Sequence, residues 1–309
     1  MRTKFIIFVL IITGISANAQ QDAQFTQYMY NTININPAYA GSRGCLSVFG
    51  LHRTQWVGLD GAPVTNTLSI NTPIDDTSIG LGLSVLNDRI GPSNETNVAG
   101  DFSYTIPTSE NYQLSFGVKA SINFLNVDFT RLNIFDNSDS RFANNVDNKF
   151  SPNIGAGLYL HSENTYVGLS VPNILEIEHF DRSSGTPANK FSAKDRMNYY
   201  LIAGHVFDLN ENIKFKPAGL AKVVTGAPLQ VDVTANFMFN EKFVVGLAYR
   251  WSAALSALVG FQVNDSWYIG YGYDLETTRL AGYNSGSHEV FLRYELFNKY
   301  DKIVSPRFF

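Results

Sequence analysis

Cysteine is almost absent from this chain, since Cys45 is the only one among 309 residues. A single thiol cannot form an intrachain disulfide, and it excludes metal sites built from several cysteines. Long apolar runs are missing too, because the run Phe5–Ile12 is far shorter than the about 20 residues of a membrane-spanning helix. Sustained helical periodicity is not found either. The fold therefore depends neither on disulfides nor on apolar helices.

Charge is scarce, at 16% of the residues, and 27 acidic residues outnumber 23 basic ones. This acidic balance disfavours nucleic acid as a partner. Catalytic motifs are missing as well, because neither an H-E-x-x-H spacing nor a G-x-S-x-G turn occurs. We therefore expect no enzymatic activity, no cofactor, no bound metal and no nucleic-acid partner. The five histidines, none at a metal-binding spacing, are His52, His161, His179, His205 and His288.

The first residues are typical of a secretory signal peptide. Arg2 and Lys4 precede the apolar run, and Ala17 and Ala19 form an A-x-A cleavage pattern. We predict a signal peptide over residues 1–19 and a mature chain that begins with glutamine. No cysteine stands at the cleavage point, so a lipoprotein anchor is not expected.

From Cys45 to Phe297 the sequence divides into segments of roughly ten residues in which apolar and polar residues alternate. The clearest is 112–123, where every second residue is apolar. Such alternation is typical of strands with one lipid-facing and one lumen-facing side, and about 14 strands are predicted, as in an antiparallel outer-membrane β-barrel. The predicted strands are 45–56, 63–71, 78–88, 96–106, 111–124, 150–160, 165–172, 196–208, 212–221, 228–239, 242–250, 255–263, 266–275 and 287–297.

Connection lengths predict how this all-β barrel is oriented. Outer-membrane barrels place short turns in the periplasm and longer loops outside the cell. Short turns rich in Asn, Asp or Glu alternate here with longer connections. The asymmetry in connection length therefore agrees with the even number of strands. The predicted periplasmic set is 71–77, 107–110, 161–164, 209–211, 240–241 and 264–265. The predicted outer set includes 125–149, 173–195 and 276–286.

Charges within the predicted strands occupy the polar face. A charge that faces lipid at the middle of a bilayer costs about 2–4 kcal/mol, whereas the lumen can hydrate or pair it. We therefore predict an ion network inside the barrel; the alternative fold, a soluble sandwich or propeller, needs no such distribution. Its members are Asp101, Lys119, Asp232, Arg250, Asp274, Glu289 and Arg293. The register of strand 45–56 stays open, because the charged Arg53 lies on the same face of the strand as the apolar Phe49 and Leu51.

Glycine pairs lie inside several predicted strands, not before helices, so they are not phosphate-binding loops. We predict that they relieve crowding where a strand curves or where another segment of the chain lies close. The pairs are Gly80/Gly82, Gly155/Gly157 and Gly270/Gly272.

Both ends of the mature chain carry blocks that resemble one family. Residues 24–29 read QFTQYM and residues 36–42 read NPAYAGS. Later blocks are GAPLQVDVTANF at 226–237, YGYDLETT at 271–278, GSHEVFLRYEL at 286–296 and a final SPRFF. Together these blocks resemble the PorP/SprF family of type IX secretion outer-membrane proteins.

The resemblance implies a barrel that works with the secretion or gliding machinery in the outer membrane. Its partner would be a secreted protein, typically a large adhesin with a C-terminal sorting domain, delivered to the cell surface. A plugged channel or transporter for small or hydrophobic molecules is the alternative. The predicted regions are an N-terminal segment at 20–43, the barrel at 44–298 and a periplasmic tail at 299–309.

The N-terminal segment is too polar and too interrupted by proline for a membrane strand. Its aromatic and amide side chains suit contacts and hydrogen bonds with a polar wall. We predict that it plugs the barrel from the periplasmic side or docks periplasmic machinery; a disordered leader is the alternative. Asp274, Glu289 and Arg293 are candidates to hold it. The candidate residues of the segment are Phe25, Gln27, Tyr28, Tyr30, Asn36, Pro37, Tyr39 and Gly41.

The two longest outer connections, 125–149 and 173–195, are predicted to contact the exported partner. Binding residues concentrate on loops held by a rigid scaffold, and loops of this length usually carry function or are disordered. The acidic residues of 125–149 lack the spacing of a calcium-binding loop, so a recognition role is favoured. The candidate contact residues are Arg131, Phe135, Arg141, Phe180 and Arg182.

Overall fold

The computed structural model describes residues 25–132, 145–176 and 196–296. Their main element is one antiparallel sheet in which buried and exposed residues alternate, as the period-two sequence requires. The strands are β1 (Leu46–Thr54), β2 (Val64–Pro73), β3 (Ile79–Ile90), β4 (Ser93–Pro107), β5 (Gln113–Val127), β6 (Val146–His161), β7 (Thr165–Val171), β8 (Asn198–His205), β9 (Phe207–Asn210), β10 (Ile213–Val224), β11 (Gln230–Phe239), β12 (Phe243–Arg250), β13 (Ala254–Gln262), β14 (Trp267–Glu276) and β15 (Ser287–Leu296). The predicted signal peptide and C-terminal tail lie outside the described residues.

The sheet closes on itself. Strands that follow each other in sequence pair with each other, and β15 pairs with β1. β8 and β9 are two halves of one crossing strand, separated at Val206, and both pair with β10. The described residues therefore form a closed barrel of 14 crossing strands, which confirms the predicted fold and strand number.

Short turns join the strands at one end of the barrel. At the turn between β11 and β12, Asn240 and Glu241 both have positive φ, 50° and 55°, as a tight hairpin turn requires. The opposite end carries the connections 55–63, 128–145, 172–197 and 277–286. The short-turn end is therefore the periplasmic end, and we name the opposite one the outer end.

One predicted connection is wrong. The gap predicted at 89–95 is not a loop, because β3 and β4 continue to a tight turn at Gly91 and Pro92. Polar residues occupy this extension, and Asn87 donates hydrogen bonds to Asn94 and Thr96 across the strands. The hairpin of β3 and β4 extends beyond the apolar band of the barrel. The alternation of apolar and polar residues therefore ends before the two strands end.

The outward face of the barrel is an apolar band, with side chains such as Leu68 (57%) and Leu247 (61%) left exposed by the protein. Inward positions are mainly polar and buried. Strand β1 differs, because Phe49, Leu51 and Arg53 are all buried and inward. This result answers the open register of 45–56, and the physical reason is that apolar parts of the N-terminal segment lie against this wall.

In the part of the chain that the structure describes, helical structure is confined to short turns. Among the described residues no helix is long and apolar enough to cross a membrane. The N-terminal residues form 3-10 turns at Tyr28–Tyr30 and Pro37–Tyr39 with a single α-helical turn at Thr32–Ile35 between them.

Candidate functional site

Residues 25–41, the part of the N-terminal segment discussed below, lie inside the barrel. Residues 25–40 are buried except for Asn34 and Ile35, which are half-buried. Thr26 binds carboxylates of β14 and β15 close to the outer strand ends, whereas the Gly41 N–H donates to Asn71 near the periplasmic end of β2. The segment thus runs through the lumen from its outer half to its periplasmic end. Docking of these side chains to periplasmic machinery would require them to be accessible, and they are enclosed.

Arg53 joins the N-terminal segment to two strands. Its guanidinium lies 2.7 Å from the Asp274 carboxylate and 3.0 Å from the Glu289 carboxylate, and all three side chains are buried. The Thr26 hydroxyl donates to Asp274 at 2.7 Å. The backbone N–H groups of Thr26 and Gln27 donate to Glu289 at 3.1 and 2.9 Å. One cation faces two carboxylates, and the N-terminal segment adds two backbone donors to Glu289 beside the guanidinium of the wall.

Two further cations follow the same plan. Arg250 binds both oxygens of Asp232, directly opposite on β11, at 3.0 Å, and donates to the Phe25 carbonyl at 3.4 Å. Lys119 lies 3.0 Å from Asp101, its cross-strand partner, and donates to the Ile33 carbonyl at 3.3 Å. Each cation therefore binds one carboxylate of the wall and one oxygen of the segment.

The motif Asn36–Ala40 lies in a row of small residues on the inner wall. The strand register places these residues side by side across five strands, and we name them the small-residue row: Gly80, Ser103, Gly117, Gly157 and Ser170. A Cβ added at Gly117 would come 2.1 Å from the Ala38 nitrogen, and one at Gly157 would come 2.1 Å from Asn36 Oδ1. At these two positions only glycine leaves enough space.

The serines of the small-residue row hold the same motif, and the residue before it, by hydrogen bonds. Ser103 donates to the Ala40 carbonyl at 2.7 Å, and Ser170 donates to the Ile35 carbonyl at 2.6 Å. Asn36 donates to the Leu158 carbonyl at 2.9 Å and accepts from the Ala38 N–H at 3.0 Å. The motif's polar groups therefore find partners both in the wall and within the segment.

Aromatic contacts hold the middle and the end of the segment. The Tyr30 ring stacks on Phe291 with centroids 4.9 Å apart, and the Tyr268 hydroxyl donates to the Tyr30 hydroxyl at 3.3 Å. The Lys216 ammonium lies 4.9 Å from the Tyr30 ring centroid. Tyr39 meets Tyr159 edge to face at 5.6 Å, and Pro37 begins the turn that presents it. Phe25 and Tyr28 are buried in the same apolar cluster.

A substitution in the small-residue row tests this contact. We expect Gly117→Ala to lower the free energy of unfolding by about 1–3 kcal/mol, because the methyl group would overlap the Ala38 backbone. Urea unfolding in detergent micelles, followed by tryptophan fluorescence, measures the change. The matched control is Gly100→Ala on the neighbouring strand, where an added Cβ meets no atom within 4 Å. Equal effects of the two substitutions would contradict the tight contact.

The predicted lumen residues do not all act as expected. Glu289, Asp274 and Arg293 all contact the N-terminal segment, since the Arg293 guanidinium lies 5.7 Å from the Tyr30 ring centroid. Arg293 does not pair with the two carboxylates, because it lies 3.5 Å from Glu295 and over the Tyr268 ring. The reason is position, since Arg293 lies four residues along β15 from Glu289, near the periplasmic end. The sequence interpretation left the direction of Arg53 open and did not single out Arg43 or Lys216. A strict parity count along β10 places Lys216 inward, whereas the same count along β1 groups Arg53 with two apolar residues and gives no clear direction.

Of the predicted partner-contact residues, Arg131 is exposed at the outer end, where it ends a 3-10 turn that begins at Phe129. Phe135, Arg141, Phe180 and Arg182 lie outside the described residues. Among the described residues no group of three histidine, cysteine or acidic side chains has the arrangement of a metal site.

Comparison with known families identifies the chain. The family described as "Type IX secretion system membrane protein PorP/SprF" matches residues 17–294. The chain belongs to this family. Membership confirms the resemblance noted in the terminal blocks, and with the closed barrel it places the protein in the bacterial outer membrane as a membrane component of type IX secretion. Family membership also implies interaction with other secretion components. No curated protein matches the chain.

Solved structures of outer-membrane barrels are similar over most of the chain at low sequence identity. The KdgM porin is 11% identical, with 81% of this chain and 99% of that chain covered and a TM-score of 0.37. The TodX deltaS2S3 mutant monoaromatic hydrocarbon channel is 10% identical, with 81% and 89% covered and a TM-score of 0.46. A Pseudomonas aeruginosa FadL homologue is 11% identical, with 82% and 90% covered and a TM-score of 0.42.

Proposed function

We propose that the N-terminal segment plugs the barrel, and that the plugged barrel is a non-enzymatic component that assists secretion and surface attachment of a partner with a C-terminal sorting domain. The observation that carries this proposal is the triple attachment of the segment through Arg53, Arg250 and Lys119. Each of these cations is neutralised by a wall carboxylate. Within the described lumen, paired charges of the wall therefore bind the N-terminal segment, which supports a plug.

A transporter is less well supported by these contacts. A wide diffusion channel needs a hydrated path, whereas the Arg53 and Lys119 side chains and their carboxylates are buried against the segment. A transporter would have to break three ion sites and the small-residue row in each cycle. A stable plug instead makes the barrel a fixed platform in the membrane, and the outer loops can then serve as its contact surface.

We propose that the partner binds the outer connections 128–145 and 172–197. Arg131 lies exposed at the start of the first connection, beyond the outer end of β5. Phe135, Arg141, Phe180 and Arg182 extend the proposed surface along the sequence. A partner held here would stay outside the membrane while the barrel anchors it.

Affinity purification from the native outer membrane tests this function. A tag inserted at Gly226, which is exposed in the outer turn between β10 and β11, leaves the strands intact. We expect a large secreted protein to co-purify, and we expect replacement of 133–144 by a Gly-Ser linker of equal length to reduce its recovery about tenfold. Quantitative mass spectrometry of the eluate measures the recovery.

The matched control replaces the periplasmic turn 108–112 by a Gly-Ser linker and should leave partner recovery unchanged. Small-molecule uptake by cells that lack the protein decides between the two functions. Loss of one surface protein with normal uptake supports secretion. Normal surface protein with impaired uptake would instead establish the transporter and overturn the proposal.

A further inference from the structure

Strands β1–β5 carry two rows of polar side chains on their outward face, just below the outer end. The register aligns His52, Asn66, Asn87 and Thr96 on β1–β4 in the first row, which ends at Phe124 on β5. It aligns Arg89, Asn94 and Asn126 on β3–β5 in the second, where β2 contributes Val64. We name these seven residues the polar rows. No aspartate or glutamate faces outward in either row over β1–β5.

Hydrogen bonds fix the polar rows in place. His52 Nδ1 and Asn66 Oδ1 are 2.8 Å apart. The Asn87 amide donates to Asn94 at 2.8 Å and to Thr96 at 2.9 Å. Side chains held in this way form a pre-ordered surface of amide and hydroxyl groups, which lowers the entropy lost when a ligand binds.

The polar rows mark the outer edge of the membrane on this side of the barrel. The row immediately below them is apolar, with Val85, Val98 and Ile122 side by side. On the opposite wall, the outward side chains near the outer strand ends include Tyr249 and Trp251, which suit the aromatic girdle of an outer-membrane barrel. The polar rows are therefore a local feature at the level of the lipid headgroups.

An open apolar groove of about 570 Å³ lies below the polar rows on the same five strands. Gly100 and Ala120, paired across β4 and β5, form its floor. Leu83 at its upper side lies four residues from Asn87 along β3, or about 13 Å. Its outward walls are apolar side chains such as Ile70, Leu81, Phe102 and Val118.

We propose that this outward face binds a phosphorylated glycolipid of the outer leaflet, with one acyl chain in the groove and the sugar-phosphate headgroup on the polar rows. The groove lies within the apolar band, where acyl chains are the surrounding medium. Amide side chains donate to and accept from sugar hydroxyls, and the Arg89 guanidinium forms charge-assisted hydrogen bonds with phosphate. The plug plays no part in this site.

One carboxylate lies near the polar rows. Asp128 lies one position beyond Asn126 on the outward side of the chain. Its carboxylate accepts from the Thr130 N–H at 3.1 Å, the Thr130 hydroxyl at 2.6 Å and the Asn145 amide at 3.2 Å. These hydrogen bonds stabilise the negative charge of Asp128 without removing it, so the attraction of a phosphate rests on Arg89, the cation of the polar rows.

The test titrates the delipidated, refolded full-length barrel in detergent with lipid A and counts bound lipid by native mass spectrometry. Arg89→Glu and Gly100→Leu should each weaken lipid A binding about tenfold, since each removes one of the two contacts. The leucine side chain of Gly100→Leu would occupy the groove without a clash, because an added Cβ meets no atom within 4 Å. Heat-dependent electrophoretic mobility verifies that every variant is folded.

Matched controls separate the possible occupants. Gly219→Leu on β10 and Arg279→Glu in the outer connection before β15 should bind lipid A as the native protein does. Dephosphorylated lipid A should bind the native protein and Arg89→Glu equally. If Gly100→Leu does not fold, Gly100→Ala and Arg89→Glu carry the test. Unchanged lipid A binding by the folded variants, or equally tight binding of phosphatidylethanolamine, would overturn the proposal.

Discussion

Deletion of residues 20–40, with the predicted signal peptide at 1–19 kept, is expected to convert a blocked barrel into an open pore. The strands pair with each other and not with the N-terminal segment, so the barrel should still close. The deletion removes the chain that occupies the lumen along Arg53, Lys119 and the small-residue row. Water and ions then replace it. Planar bilayer recordings should show conductance steps that the native protein lacks.

A synthetic peptide of residues 20–41 provides the control for this deletion. Added to the deletion variant, it should reduce the new conductance, because its donors again satisfy Glu289 and Asp274. A peptide of the same composition in scrambled order should not. A native protein that conducts as strongly as the deletion variant would show that the segment does not close the lumen, and the plug would be wrong.

Replacement of Arg53 by leucine is expected to destabilise the barrel by about 3–5 kcal/mol, the usual cost of leaving a buried charge without its partner. The substitution leaves Asp274 and Glu289 buried together without the guanidinium that lies 2.7 and 3.0 Å from them. Urea unfolding of the protein in lipid vesicles, followed by tryptophan fluorescence, measures the loss.

Two variants make this result specific. The triple variant Arg53→Leu, Asp274→Asn and Glu289→Gln removes all three charges and should recover most of the lost stability. Lys214→Leu removes a cation from a more exposed pair, 3.4 Å from Asp208, and should cost less than about 1 kcal/mol. If Arg53→Leu costs no more than Lys214→Leu, Arg53 does not hold the site together.

Much of the barrel follows from local physics. Each crossing strand alternates apolar and polar residues because one face meets lipid and the other meets the lumen, so strand number and order could be read from the sequence. The charges at Asp101, Lys119 and Asp232 point inward for the same reason. The rule failed at β1, where Phe49 and Leu51 point inward with Arg53. These apolar side chains pack against the N-terminal segment, and no property of the strand alone reveals that neighbour.

The site was harder to predict than the barrel. Asn36, Pro37 and Gly41 were recognised as a motif, but their wall contacts depend on residues such as Gly117 and Gly157 that are far away in sequence. Asp274 and Glu289 were recognised as charges, but the cation between them belongs to the other end of the chain.

Alternation, loop lengths and the terminal blocks by themselves determined that this chain is an outer-membrane barrel of the PorP/SprF family. Those signals are local, since each residue is selected by the medium that its own strand face meets. Only the tertiary structure decided that Arg53 bridges β14, β15 and the N-terminal segment, and that the Asn36–Ala40 motif crosses a row of small residues. Barrel closure creates these contacts, because it brings the first and last strands side by side around the same lumen.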